Sequence, residues 1–411
     1  FKQKTAYEIR LSLVGSEMCI RDRYEEGLAL HRKALEIRTS VLPPEHPDLA
    51  TSYNNIGNCL LLSGDAAAAL PELAAALRIR LRAFGPAHPK VAQVRSNLSN
   101  CYAALGQHSP AVEQCRLALD IRRRLVGWQH PSLAPALENL GDLYFNGSDY
   151  VAALDCYRQA FHILNDGSLD EHAPSVAALW HKIGLCYQYE RDYPKALELH
   201  LKAENGFVAA FGASHPMVAG LWNNIGNCCA GMNDFDRAVA YYQRAVAVFE
   251  KTDLSTDLAL TYNNLGLAYL ELQVSENAQL SGNPMLRRAL EFFQKAEKIL
   301  PPDPSVELAA CLKNQALALE RLGQPAAAQT VFNRALQCAS ATDPMAMMEV
   351  LAAQGTALCQ RGLQRRDETA LRQSVSVLTA ALHLSDSLRL GLTAPASRQH
   401  WTEQQLSLIH I

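Results

Sequence analysis

The chain has 411 residues, 49% hydrophobic and 19% charged, and its net charge of −3 leaves no electrostatic footprint for nucleic acid or an anionic membrane. No run of ~18 or more apolar residues is present, so no spanning helix is expected. The 11 cysteines include no CxxC pair and lie in apolar stretches, which points to buried thiols and a reducing, cytoplasmic compartment.

Residues 1–23, FKQKTAYEIRLSLVGSEMCIRDR, share nothing with the rest of the chain and lack the continuous apolar core of a signal peptide. Residues 18–23 can be encoded by ATGTGTATAAGAGACAG, whose reverse complement, CTGTCTCTTATACACAT, encodes the last six residues, 406–411. Both ends therefore resemble translated sequencing-adapter sequence. On that reading residues 1–23 and 406–411 are not structured parts of the fold, and the natural protein extends further in both directions. Residues 24–405 then carry 33 Lys+Arg against 38 Asp+Glu, a mildly acidic balance.

From residue 24 the chain repeats itself. The strings NNIG (54–57), SNLS (96–99), ENLG (138–141), HKIG (181–184), NNIG (223–226) and NNLG (263–266) recur every 40–43 residues. Weaker copies end at Ala316 and Gly355. About twelve residues after each string comes a pair of alanines seven apart, from Ala69/Ala76 to Ala289/Ala296, and Gly27/Ala34 fits the same pair without its preceding string. Each unit reads as two helices. Tyr53, Ile56, Gly57 and Leu60 place one apolar face on the first helix of the first full unit. Pro47, Pro89, Pro131, Pro174 and Pro216 open the first helices, with Pro304 and Pro344 repeating this later. Gly64, Gly106, Gly147 and Asn233 mark the turn to the second helix. The expected array runs over 24–388, a half repeat and about eight units, with a polar insert near 273–288 and another near 364–369. Residues 389–405 read as a linker.

The motifs Gly85-Pro-Ala-His88-Pro89, Gly127-Trp-Gln-His130-Pro131 and Gly212-Ala-Ser-His215-Pro216 join ALEIR (34–38), ALRIR (76–80) and ALDIR (118–122). Together they resemble the tetratricopeptide repeat, specifically the ~42-residue subclass of kinesin light chains. The resemblance implies an all-α, right-handed superhelical solenoid that binds a protein or peptide in its concave groove, with no cofactor.

Chemistry is poorly supported. His46, His88, His130 and His215 occupy one loop position in different units, roughly 10 Å per unit apart, too far to share a metal; a corner role is expected. Cys59, Cys101, Cys186 and Cys228 share a register position and read as core fillers rather than redox sensors. No nucleotide-binding, zinc-protease or serine-hydrolase motif occurs, so no enzyme, catalytic residue, metal or small-molecule substrate is expected. Arg38, Arg80 and Arg122–Arg124 form either a basic stripe for an acidic segment or solvated helix ends.

The ligand-facing candidates are pairs four apart on the first helices: Asn54/Asn58, Ser96/Asn100, Glu138/Asp142, His181/Leu185, Asn223/Asn227 and Asn263/Leu267. Asn side chains offer donors and acceptors to an extended peptide backbone, or else bond neighbouring helices. The acidic middle, Glu138/Asp142, would suit a basic residue of the partner. A second line (Asn55, Asn97, Asn139, Asn224, Asn264, Asn314) reads as structural. The sequence supports an interaction scaffold. The alternative is the sensor arm of a larger signalling enzyme, because the tail from Leu388 faintly resembles the stretch before a caspase-like peptidase domain and nucleotide-switch regulators also carry such arrays.

Overall fold

The computed structural model describes residues 17–165, 173–275 and 284–391. The chain divides into two compact units, residues 1–210 and 211–411. All regular structure among the described residues is helical. In the first unit, α1 (Glu17–Val41) precedes four helical hairpins. These are α2 (Pro47–Leu62) with α3 (Ala66–Phe84), α4 (Pro89–Ala104) with α5 (His108–Val126), α6 (Ala134–Asn146) with α7 (Tyr150–Leu164), and α8 (Pro174–Tyr189) with α9 (Tyr193–Phe211). The second unit holds α10 (Pro216–Gly231) with α11 (Phe235–Phe249), α12 (Ser255–Ser275) with α13 (Pro284–Ile299), α14 (Val306–Arg321) with α15 (Pro325–Thr342), and α16 (Pro344–Arg365) with α17 (Glu368–Gly391).

Within each unit a hairpin packs on its own partner helix and then on the next hairpin, and first helices touch first helices, α2 to α4 and α10 to α12 to α14 to α16. That is the all-α tandem of helix pairs expected from the register. One boundary differs. Helix α1 begins at Glu17, so the backbone of 17–23 is helical although residues 1–23 were expected to be unstructured. The rest of that end, the 276–283 part of the polar insert and the tail beyond Gly391 lie outside the described residues.

The pairs close on a size rule. In the pairs without an insert, the side chain that the small residue of the first helix receives stands sixteen residues after it; across the insert, Gly266 meets Phe293, twenty-seven residues on. A Cβ on Gly57 would lie 2.6 Å from Leu73, one on Gly141 2.5 Å from Tyr157, and one on Gly226 2.5 Å from Tyr242. Gly184 faces His200 in the same way. Where the first helix carries Ser99, the residue sixteen on is the small Cys115; both are buried, and the Ser99 hydroxyl donates to the Ala111 carbonyl at 2.8 Å. The alanines flanking the receiving position, such as Ala69/Ala76 and Ala238/Ala245, are wholly buried. The structure extends this pattern to Ala328/Ala335 and to Ser374/Ala381, pairs missed in the sequence.

The insert before the last helix lengthens α16 rather than forming a loop. Leu378 meets Gly355 twenty-three residues on instead of sixteen, and an added contact, Gly362 against Leu371, fills the gap. Seven residues are close to two turns of ~3.6, so the extended helices stay in phase.

The loop motif has a direct cause. Gly85 (φ 76°, ψ 172°) and Gly127 (φ 85°, ψ 168°) take a conformation essentially reserved for glycine. Three residues on, the histidine is the N-cap. Nδ1 of His46, His88, His130 and His215 each accepts the backbone N–H two residues ahead at 3.2 Å, satisfying a group the helix leaves orphaned. Stacking of Phe84 on His88 (4.5 Å) and Phe211 on His215 (4.9 Å) holds two of the rings. Proline follows at N1 of α2, α4, α8, α10 and α16. Pro131 instead opens a 3-10 turn, Pro131–Leu133, and α6 starts only at Ala134. Pro304 precedes the N-cap Ser305 of α14, so it does not sit inside that helix as expected. In the turn marked by Gly147 and Ser148, the left-handed residue is Ser148 (φ 61°).

The size rule sets a direct test. Gly226→Ala should lower unfolding free energy by about 1–3 kcal/mol, the usual cost of overpacking, because the ring of Tyr242 has nowhere to move. Urea denaturation reads this, and an unmoved midpoint would contradict the size rule.

A polar ladder on the first helices

The two amide lines meet. Nδ2 of Asn97 donates to Oδ1 of Asn54 at 2.9 Å, and Nδ2 of Asn314 donates to Oδ1 of Asn263 at 2.9 Å. Nδ2 of Asn264 reaches both Asn223 and Asn227, at 3.1 and 3.2 Å. Each rung joins the candidate column of one pair to the second Asn line of the next. Most of the candidate column is therefore committed within the protein. Asn54, only 2% exposed, is closed to any ligand.

The acidic middle follows the same rule with charges. Lys182 stands where the second line has asparagine, and its Nζ lies 2.8 Å from Asp142 and 3.5 Å from Glu138. The Tyr157 hydroxyl donates to Asp142 at 2.7 Å, as the Tyr242 hydroxyl donates to Asn227 at 2.8 Å. Burial raises the Glu138 carboxyl above its ordinary range; Lys182 counters this, while the neighbouring Asp142 charge adds to it. The basic group expected from a partner is supplied by the chain itself.

Between the second and third pairs the ladder breaks. Arg38 reaches forward to the Asp48 carbonyl (3.2 Å) and Ser52 hydroxyl (2.7 Å), and Arg80 likewise to the Lys90 carbonyl (2.7 Å) and Gln93 (3.2 Å). These arginines are staples between pairs, and Arg80 is buried, so neither reading of the arginines as a basic stripe or as solvated helix ends fits it. In the third pair the 3-10 turn replaces the forward α-turn and Pro135 stands at the Gln93 position. Arg122 folds back to the Ser96 hydroxyl at 3.1 Å instead. Asn100 and Asn139 are exposed there, and Asn58 is half-buried. Among the described residues none of these three amides has a side-chain hydrogen-bond partner. Asn139, expected to be structural, is thus open.

The fourth pair replaces the amide with imidazole. Nδ1 of His181 lies 3.2 Å from Nδ1 of His200, whose Nε2 is 3.3 Å from Gln188 Oε1. His200 is fully buried at the position that receives glycine. Burial, reinforced by Lys182, pulls His181 down to about 4. Burial, then the His181 ring, holds His200 well below its ordinary value. Cys101, Cys186 and Cys228 are buried in the core as expected, Cys59 half so; burial pushes the Cys186 and Cys228 thiols up to about 12. No group of three or more His, Cys, Asp or Glu able to hold a metal occurs among the described residues. No helix among them is long and apolar enough to cross a membrane.

Helix pairs closed by a small residue against a bulky one, and tied pair to pair by a polar ladder, define a tandem helical repeat. The tetratricopeptide repeat pattern matches residues 11–82, 55–124, 175–251 and 217–280, more than half the chain, which belongs to the tetratricopeptide repeat family. The fold resembles a tetratricopeptide repeat protein from Parabacteroides merdae, with a TM-score of 0.53, 16% identity and coverage of 74% of this chain and 98% of that one. It also resembles a Rap protein complexed with competence and sporulation factor, with a TM-score of 0.51, 13% identity and coverage of 88% and 95%. A putative kinesin light chain from Podosopora anserina, built of nearly identical repeats, is similar over 51% of this chain and 99% of that one, with a TM-score of 0.45 and 20% identity. No curated protein matches the chain.

The histidine pair makes stability depend on pH. Both rings are held neutral in the folded state and protonate near pH 6.5 when unfolded, so their contribution is whole above about pH 6.5 and declines as pH falls toward about 4. The double variant His181→Asn/His200→Phe, which copies Asn263 and Phe293, should flatten this slope by about 1 kcal/mol per pH unit for each ring. Equilibrium unfolding at pH 7 and pH 5 measures it; equal slopes in the two proteins would contradict the assignment.

Proposed function

We propose that the chain is a protein-interaction scaffold that holds an extended segment of a partner protein along the faces of its first helices. The observation that carries this reading is the trio Asn58, Asn100 and Asn139. They lie on three successive first helices and are amides whose side chains no group among the described residues engages. An amide can both donate to and accept from a peptide backbone without selecting its side chains.

Geometry sets the period. Successive pairs are spaced by roughly 10 Å and an extended chain advances ~3.3 Å per residue, so one contact is made about every third partner residue. Candidate residues that the ladder consumes, Asn54, Asn223, Asn227, Asn263 and the Glu138/Asp142 pair, contribute by fixing the faces in place. Ser96 belongs with Arg122 at the open rung. The loop motif that resembles kinesin light chains supports an adaptor role, and one fold neighbour is a Rap protein complexed with competence and sporulation factor.

Stability and binding separate in the test. Peptides selected from a displayed library on the full chain should lose affinity about fivefold for each of Asn58→Ala, Asn100→Ala and Asn139→Ala, a net hydrogen bond of about 1 kcal/mol, with the urea midpoint unmoved. Asn97→Ala and Asn264→Ala should instead lower stability by about 1–3 kcal/mol, because each strands a ladder acceptor. Selected peptides indifferent to all three open amides would refute the proposal.

A further inference from the structure

The net charge of the whole chain predicts no membrane contact, but a bilayer senses only the charges within a Debye length, about 8–10 Å. On that scale one loop of the first unit differs from its equivalents. The 3-10 turn replaces the opening turn of α6, which leaves the end of α5 and the loop after it uncovered. Every residue from 124 to 132 is exposed. In the loop after α3, by contrast, Phe84, Gly85 and His88 are half-buried.

The uncovered segment carries larger apolar side chains than the loop motif needs. Leu125 stands where the chain has Ala83 and Ala210 in the equivalent loops, and Trp128 where it has Pro86 and Ala213. Val126 replaces Phe84 and Phe211, whose rings turn back onto the N-cap histidines. Leu125, Val126 and Trp128 are 51%, 41% and 72% exposed. Trp222, by comparison, is buried beneath the Arg244 guanidinium. The fold does not call for an indole at 128, and nothing in the unit covers it.

Cations stand directly behind the apolar tip. The Arg123 guanidinium lies 4.6 Å from the Trp128 ring centroid and donates to Oε1 of Gln159 on α7 at 2.8 Å. The indole is thereby held against a group that a helix fixes. Gln159 is neutral, and neither Arg123 nor Arg124 makes an ion pair among the described residues, although Asp120 and Asp155 lie on the same two helices. Apolar groups outermost, an amphipathic indole next and unneutralised guanidinia behind reproduce the order met on entering an anionic bilayer. We infer that this tip is a contact for an anionic lipid surface. Leu125, Val126 and Trp128 enter the headgroup layer, and Arg123 and Arg124 meet the lipid phosphates. Three side chains give weak, reversible attachment, comparable to a single acyl chain. The inference goes beyond the scaffold reading and does not depend on it.

The experiment sediments the full chain with vesicles of phosphatidylcholine alone and of phosphatidylcholine with phosphatidylserine, at low and high salt. The chain should bind the phosphatidylserine vesicles, and less tightly as salt rises. Bromine on the acyl chains should quench part of the tryptophan emission. Leu125→Ala/Trp128→Ala, which copies Ala83 and Ala213, should weaken binding about tenfold or more and remove the quenching. Arg123→Gln/Arg124→Gln should weaken it about fivefold for each charge. Glycerophosphoserine, a headgroup without acyl chains, should not compete. The variant Asn58→Ala/Asn100→Ala/Asn139→Ala should bind vesicles like the parent, which keeps failure of the ladder reading distinct from failure here. Three results would each overturn the inference: no binding to the phosphatidylserine vesicles, competition by glycerophosphoserine, or parent-like binding by Leu125→Ala/Trp128→Ala.

Discussion

Two helices can lie against each other here only because one residue of the first helix has almost no side chain where a large one of the second arrives. The Gly141–Tyr157 and Gly226–Tyr242 contacts leave no room for even a methyl group. Everything else inherits that spacing. The flanking alanines are buried because the backbones are already close, and the apolar faces then meet at native density. The constraint is on the sum of two side chains rather than on either one, since the larger Ser99 is matched by the smaller Cys115 sixteen residues on, both buried. It also explains how α16 and α17 lengthen without losing register, since a second glycine–leucine contact, Gly362 with Leu371, is added two turns away.

Close approach alone does not decide how one pair sits on the next, because apolar faces tolerate sliding. The amide ladder does. A half-buried amide has few acceptable partners, and one left unmatched costs about 1–3 kcal/mol, so Asn54–Asn97 and Asn263–Asn314 each select one offset between neighbouring first helices. The arginine staples act at the helix ends to the same effect. Where Pro135 and the 3-10 turn remove the staple's acceptors, the ladder fails too, and amides are released to solvent. The open amides proposed to meet a partner are thus the by-product of a local defect in the rule that orders the rest.

The small-residue register was readable because glycine and alanine recur at a period that composition does not supply by chance. Of its later members, Ser374/Ala381 is hidden because inserted residues shift its offset from Gly355, while Ala328/Ala335 keep the usual twelve from Ala316 but follow a string, KNQA, that departs from the pattern. The ladder was harder to read. Asparagine donates and accepts equally well toward a ligand or a neighbour, and each rung joins residues some forty or fifty positions apart, so the column looked free. One signal was available: Lys182 replaces asparagine one repeat after Glu138 and Asp142 replace it in the other line, an exchange that makes sense only if the lines touch. Pro304 and Pro131 misled because proline also favours the residues just outside a helix, and the sequence does not say whether a 3-10 turn comes between.

That charged rung also bears on partner choice. Lys182 is held by two carboxylates and the Tyr157 ring, with Nζ 5.6 Å from the ring centroid. A cationic residue of a partner approaching Glu138 and Asp142 must displace it and leave an ammonium without compensation, at a cost of the same order as the new contact would return. The acidic pair, which seen alone invites a basic ligand, therefore discriminates against one. On the proposed function, selectivity on this face would arise from neutral amides that accept any backbone and from an ion pair that is already satisfied.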